Sequence, residues 1–307
     1  MKKQIKMTVA MLVVLAIGVG CKKNNADVAE PSVTNSKAQS DGSTIHEFQL
    51  ENGATMFVKE DKNGDYFLAE DITLSKSQFE AIGQKSTSTI SRQASKNGSP
   101  VSSAILNKFS TSMASAIWPN GIIPYAVNYD FENSWRIDSA IAHYHQLTNV
   151  RFRLWQPGDA NYILFKNHLT ENNSAFGMTG GEQIVNMQSQ SSVGIMIHEL
   201  GHALGLFHEQ TRLDRDQYVI INWDNIDPAF QYNFYKYNQT VLQNGTPVSG
   251  TDYGLFDSWS IMMYPSNAFA IDPNIPTITN LLGNTIPTQI SYLSQTDVSA
   301  LNYLYTP

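Results

Sequence analysis

The stretch His198-Glu199-Leu200-Gly201-His202-Ala203-Leu204-Gly205-Leu206-Phe207-His208-Glu209 decides how this chain is read. A helix over Val193 to Ala203 puts His198 and His202 four residues apart, so both imidazoles lie on one face and reach one ion. Glu199, one residue along, points at the rim of that site rather than at the ion. Gly205 permits a backbone reversal at positive φ that ends the helix and swings His208 round to a third corner. Three neutral nitrogens with one position open are the ligand set of a catalytic zinc, whereas a structural zinc is closed by four protein ligands. A single His-Glu-x-x-His arises by chance on amphipathic helices, and a lone buried His is more often a satisfied core residue than a ligand. The third His at this spacing, with the Gly in place, points instead to one Zn2+ per chain held by His198, His202 and His208, with Glu199 as the general base.

The spacing is that of the metzincins, and the continuation narrows it. Gln210-Thr211-Arg212-Leu213-Asp214-Arg215-Asp216-Gln217-Tyr218-Val219, followed by Ile221-Asn222-Trp223, resembles the signature of the astacin family. Ser260-Ile261-Met262-Met263-Tyr264 is similar to that family's Met turn, with Met263 where a His is usual. The resemblance implies that Met262 lies beneath the zinc and that Tyr264 is an additional, weakly held zinc ligand that also donates to the oxyanion in catalysis; the alternative is a packed aromatic. Trp118 to Tyr125 resembles the opening strand of astacin domains, Gly180 to Asn186 the stretch before the zinc helix, and Leu293 to Tyr305 the closing helix, with Ser294 a natural N-cap. The likeness covers residues 109–307 and implies a zinc endopeptidase acting on proteins or peptides. Its S1′ preference is set by loops after the Met turn, here Ser266 to Pro287; Asp272 is their only charged residue, so nothing attracts an acidic P1′ side chain.

Cysteine usage departs from that family. The chain has one cysteine, Cys21, so no internal disulfide forms, and Ser192 stands near an expected half-cystine. The 199 residues from 109 to 307 are enough to be stabilised by a core alone. Lys2, Lys3 and Lys6 precede an apolar run, Met7 to Gly20, of 14 residues, too short to span a bilayer. Residues 1–20 therefore read as a signal peptide. Gly18-Val19-Gly20-Cys21 resembles a bacterial lipobox, which would make Cys21 a lipidation site and the only membrane attachment; a simple secretory peptide is the other reading.

Residues 21–108 have the layout of a propeptide. A polar tether over residues 22–45 is expected to be flexible; residues 46–82 alternate enough to order, and Ser86 to Ser103 reads as an exposed linker. Astacin prosegments carry a Phe-x-Gly-Asp motif whose Asp reaches the zinc. Leu68-Ala69-Glu70-Asp71 is similar but lacks the Phe and the Gly, so Asp71 is either the latency switch or a surface carboxylate in a β-turn. Cys21 is a rival switch, since a thiolate binds zinc well, though a lipidated Cys21 cannot. Cleavage after Lys108 would expose Phe109. In astacins the new amino terminus is drawn inside near the residue equivalent to Glu209, which makes Glu209 its partner here; pairing of Glu209 with Arg212 or Arg215 is the alternative.

Residues 109–307 hold seven Lys and Arg against 16 Asp and Glu, a net of −9 within a chain of net −7. An acidic domain argues against nucleic acid as a partner and for solubility outside the cell. The expected fold is α+β: an astacin-like domain with a mixed twisted sheet, two long helices and a zinc cleft between N- and C-terminal subdomains, acting as a monomer. Strands are expected over Ile122 to Asn128, Asn149 to Leu154, Tyr162 to Asn167 and Ile184 to Met187, with an edge strand at Ala175 to Met178. A helix is expected over Asn133 to Leu147, where Trp135, Ile137, Ile141 and Tyr144 recur near its period. The rival functions are a metal-binding pseudoenzyme, against which Glu199 argues, and a cell-surface binding protein with a vestigial site, with which the polar N-terminus is compatible.

Overall fold

The computed structural model describes residues 35–49, 55–76, 78–80, 112–113, 117–236, 241–243, 246–248 and 250–306. The stretch read as a signal peptide, Cys21, the expected linker from Ser86 to Ser103 and the expected cleavage point after Lys108 lie outside the described residues. Residues 35–80 form an N-terminal module of five strands, β1 (Asn35–Ala38), β2 (Thr44–Gln49), β3 (Thr55–Glu60), β4 (Tyr66–Ala69) and β5 (Ile72–Leu74), paired antiparallel in sequence order. The tether reading therefore ends too late, because residues 35–38 and 44–45 are in strands. β1 is exposed at all four positions and is held by main-chain pairing to β2; such a strand buries nothing, so hydropathy does not reveal it.

After a two-residue strand, β6 (Ser112–Met113), the second unit opens on β7 (Ile122–Val127) and α1 (Trp135–Leu147). β8 (Arg151–Leu154), β9 (Tyr162–Asn167), β10 (Asn173–Ala175) and β11 (Glu182–Met187) follow, then α2 (Val193–Ala203). Beyond α2 come β12 (Val219–Ile221), β13 (Val241–Gln243), β14 (Thr246–Val248), β15 (Gly250–Thr251), β16 (Ile278–Asn280) and α3 (Gln295–Leu304), with four short 3-10 turns between residues 209 and 234. β12 pairs with β16, β13 with β14 and β15 with β6, each antiparallel.

Ten strands make one sheet in the order β1-β2-β3-β4-β5-β10-β11-β9-β7-β8. The edge strand expected over Ala175 to Met178 is instead an interior strand two residues earlier: β10 shares only Ala175 with that range and is antiparallel to β11 on one side and parallel to β5 of the N-terminal module on the other. β9 and β11 alternate, burying Ile163 and Phe165, and Val185 and Met187, while Tyr162 and Ile184 stay partly exposed. On that buried face lie Ile137, Ile141 and Tyr144 of α1 and Met196, Ile197 and Leu200 of α2. Trp135 is 60% exposed, so it is not part of the α1 stripe. A second cluster belongs to the seam: Phe48, Val58, Leu68 and Ile72 of the module pack with Phe176 and Phe207, whose rings stack at 4.1 Å.

α2 is held at both ends. Ser192 caps it by accepting from Ile195 N at 3.2 Å. The buried Arg136 donates to Gln188 O and Ser191 O, bracing the approach to it. At the far end Trp118 Nε1 donates to Ala203 O at 2.9 Å and Tyr305 OH to Leu204 O at 3.0 Å. Within the helix a Cβ on Gly194 would lie 1.5 Å from Ile290 O, a backbone atom. Gly194→Ala is therefore expected to cost about 3 kcal/mol, the upper part of the overpacking range, and to lower the thermal midpoint by roughly 10 °C for a domain of this size. A thermal melt of the full chain checks this, and an unchanged midpoint would refute the contact.

Candidate metal centre

The helix over Val193–Ala203 is the one the sequence implies, and it brings His198 and His202 to one face. Gly205, at φ 92°, turns the chain off its end, a conformation that a Cβ would strain. Leu206 N donates to Gly201 O at 3.0 Å, closing the turn. The return stroke delivers His208. The three Nε2 atoms then stand 3.1 Å (His198 to His202), 3.2 Å (His202 to His208) and 3.3 Å (His198 to His208) apart.

The chemistry of this cluster tests whether a metal fits it. His198 Nδ1 donates to Ile261 O and His202 Nδ1 to Leu206 O, both at 2.7 Å, which leaves the Nε2 of each ring as a bare lone pair. Burial holds His202 down at about 4, so that ring is neutral at ordinary pH, and shifts His208 in the same direction. Asp71 Oδ2 lies 3.0 Å from His208 Nε2, 3.3 Å from His198 Nε2 and 3.8 Å from His202 Nε2. Burial alone would push the Asp71 carboxyl up; the cluster of three imidazoles that it faces holds it well below the usual carboxylate range, so it is an anion. Four electron-rich atoms converge on one point, all within 4.8 Å of one another. A divalent cation neutralises that convergence, and an N3O set suits zinc.

Glu199, 2% exposed, stands in the same wall. Its Oε2 has no hydrogen-bond partner among the described residues. Burial first, and the Asp71 charge second, push this carboxyl well above its ordinary value. The turn beneath the histidines is set by Asp297, a buried carboxylate that accepts from Ser260 Oγ at 2.6 Å and Ile261 N at 3.0 Å while completing a capping box with Ser294 on α3. Met262 is buried, and its sulfur would lie 2.8 Å from a Cβ on Gly201; its carbonyl accepts from Glu209 N at 2.9 Å. The ring of Tyr264 lies 4.3 Å from that of His208, and its backbone N donates to Gln210 Oε1 at 3.2 Å. Glu209 is buried, accepts from Asp257 N at 2.8 Å and lies 3.5 Å from Arg212 Nη1. Burial pushes its carboxyl up to about 8, against the pull of Arg212. Arg215 serves elsewhere, donating to Gln210 O.

Asp71, legible in the sequence only through a weakened motif, reaches the histidines on a turn. A register shift between Phe67 and Ala69 ends the regular β4–β5 pairing, and the two-residue turn Glu70-Asp71 projects from it. Asp71 O accepts from Ser174 N at 2.9 Å. Glu70 N donates to Asn233 Oδ1 and Tyr232 OH donates to Glu70 Oε1, both at 2.8 Å. Sequence reading missed Asn233, Tyr232, Asp297 and Arg136. A buried charge that caps backbone leaves no spacing signal, although Ser294 with Asp297 three residues on is a capping-box pattern.

The sequence profile of the astacin peptidase family matches residues 110–306. The chain is 32% identical over 296 residues to flavastacin of Elizabethkingia meningoseptica, covering 94% of this chain and 61% of that protein. It is 34% identical over 194 residues to zinc metalloproteinase nas-13 of Caenorhabditis elegans, covering 61% of this chain and 40% of that protein. The chain thus spans less than two thirds of the length of these relatives. Among solved structures, high choriolytic enzyme 1, a hatching enzyme zinc-protease from Oryzias latipes, superposes with a TM-score of 0.54 at 33% identity, covering 65% of this chain and 98% of that one. With the histidine cluster, the Met262 turn and an α+β domain of matching fold, the chain belongs to the astacin family.

Proposed function

We propose that this chain is a zinc-dependent endopeptidase made as a latent zymogen, with residues 21–108 as propeptide and 109–307 as the catalytic domain. The observation that carries the reading is the convergence of three histidine Nε2 atoms beside the buried Glu199 carboxyl, whose Oε2 has no hydrogen-bond partner among the described residues. Zinc held by His198, His202 and His208 supplies Lewis acidity, polarising the scissile carbonyl and making water nucleophilic near neutral pH. Glu199 accepts the proton of the attacking water and passes it to the leaving amine; its burial raises its proton affinity, the direction that task needs. Tyr264 donates its phenol O–H to the developing oxyanion, its ring placed by contact with His208 and its backbone by Gln210. Met262 packs under the zinc helix. Asp71 occupies the open corner of the histidine cluster and so excludes water and substrate. Glu209, paired with Arg212 in the uncut chain, receives the new amino terminus after cleavage. The Lys-rich start, the short apolar run and Cys21 support export, with a lipid anchor at Cys21; the acidic domain suits an extracellular protein substrate.

Zymography on casein, with the full chain before and after limited proteolysis and with and without a chelator, tests this reading. Cleavage is expected only from the cut, metal-loaded protein. No cleavage under any of these conditions, with zinc bound, would favour a binding protein. Tyr264→Phe removes one hydroxyl and leaves the three imidazoles. Zinc content by atomic absorption should hold, while kcat falls by roughly 10²-fold, the usual loss for one oxyanion donor. Loss of zinc, or an unchanged kcat, would reassign the residue.

A further inference from the structure

The N-terminal module does more than place a carboxylate on the histidines: the turn Glu70-Asp71 and the start of β5 make main-chain hydrogen bonds to the catalytic unit on two sides of the histidine cluster, and so show which of its groups can hold a peptide backbone. One rim is the main chain of β10, where Ser174 N donates to Asp71 O at 2.9 Å and Phe176 N to Thr73 O at 3.3 Å. The opposite rim is a side chain. Asn233, fully buried at the end of the 3-10 helix Pro228–Phe234, accepts the main-chain N–H of Glu70 on its Oδ1 at 2.8 Å. Its Nδ2 donates to Phe230 O at 3.0 Å, so the amide cannot turn over and the oxygen faces the cleft.

Glu70 is the residue next to Asp71, whose carboxylate meets all three histidines. Asn233 Oδ1 therefore holds the main chain one residue away from the point where chemistry occurs. Among the described residues its hydrogen-bond partner is Glu70 N–H, which belongs to the module, whereas Asn233 and Phe230 belong to the catalytic unit. Once the module leaves, an oriented acceptor remains in a buried wall of the cleft, and a buried acceptor left unmade is costly. Peptide substrates supply a replacement of the same kind at every residue.

We propose that Asn233 is a substrate-positioning residue that accepts a main-chain N–H of the bound peptide next to the scissile bond, opposite the β10 rim. It reads backbone rather than side chain, so it orients substrates of any sequence. The assignment rests on the peptidase reading of the cleft.

The test uses the full chain, cut by limited proteolysis and freed of the module, and a set of otherwise identical peptides, each with one main-chain amide N-methylated. N-methylation removes the donor without changing the side chain. For the wild type, one position near the scissile bond should lower kcat/KM by roughly 10-fold, the scale of one hydrogen bond at the upper end of its usual worth. Asn233→Ala should show a similar loss with the unmodified peptide and no further loss at that position. Asn233→Asp, which keeps an oxygen there, should retain the N-methyl sensitivity. The same peptides titrated by fluorescence onto chains that also carry Glu199→Gln give Kd values independent of turnover, and these should repeat the pattern. If Asn233→Ala binds the unmodified peptide as tightly as its parent, or keeps the full N-methyl penalty at every position, the proposal is wrong. A wild type that binds the peptides with this pattern yet cleaves none would leave Asn233 assigned and overturn the peptidase reading instead.

Discussion

Glu199→Gln should retain a full complement of zinc and lose proteolysis by roughly 10³-fold or more, within the span attributed to general acid–base catalysis and equivalent to about 4 kcal/mol of barrier. The substitution is nearly isosteric and leaves the three imidazoles in place. What it removes is the buried carboxyl assigned to take a proton from the attacking water. Glu199 Oε2 has no structural partner among the described residues, so the exchange breaks no hydrogen bond on that oxygen and the fold should persist. Zinc by atomic absorption, a thermal melt and single-turnover peptide hydrolysis separate the possibilities. Turnover close to wild type at full metal occupancy would mean another group serves as the base.

Asp71→Ala in the full-length chain is expected to raise basal hydrolysis of short peptides, or the rate of self-cleavage, by roughly 10- to 100-fold, the worth of one interaction between ionised or metal-held groups. The size is limited because the carboxylate is one attachment among several. β5 still pairs with β10, Phe176 and Phe207 still pack against the module, and Glu70 still reaches Asn233. The corner of the cluster opens while much of the cleft stays covered, so large proteins should gain less than short peptides. Cys21→Ser in the same background should leave latency alone. If Asp71→Ala stays inert and Cys21→Ser becomes active, the thiol is the switch and the lipid-anchor reading falls with it.

The parts legible in the sequence are those with a period or a spacing. The helix over Val193–Ala203 and the strand over Tyr162–Asn167 match their expected bounds because burial imposes periodicity on both. The histidine cluster was legible because its ligands are local, all within eleven residues. Asp71 was readable only as a weakened motif, and its position depends on contacts with residues more than 100 positions away, which no periodicity encodes. β1 escaped because it is polar and exposed, and the interior status of β10 escaped because a neighbouring strand is supplied from elsewhere in the chain. Asn233 and Tyr232 carry no motif at all; only the backbone lying across them shows what they hold.

The parallel join between β5 and β10 has a consequence for how the protein behaves in solution. While the join is made, the sheet is closed at that seam, and Ser174 and Phe176 have their main-chain donors satisfied. Release of the N-terminal module opens it and uncovers the stacked Phe176 and Phe207 at the same moment. A surface that combines unpaired backbone donors with apolar rings invites self-association. The strand exposed is only three residues long, which offers little for a second molecule to extend. If the chain is stored in the joined form, as the zymogen reading has it, the apolar rings stay covered as long as the cleft does.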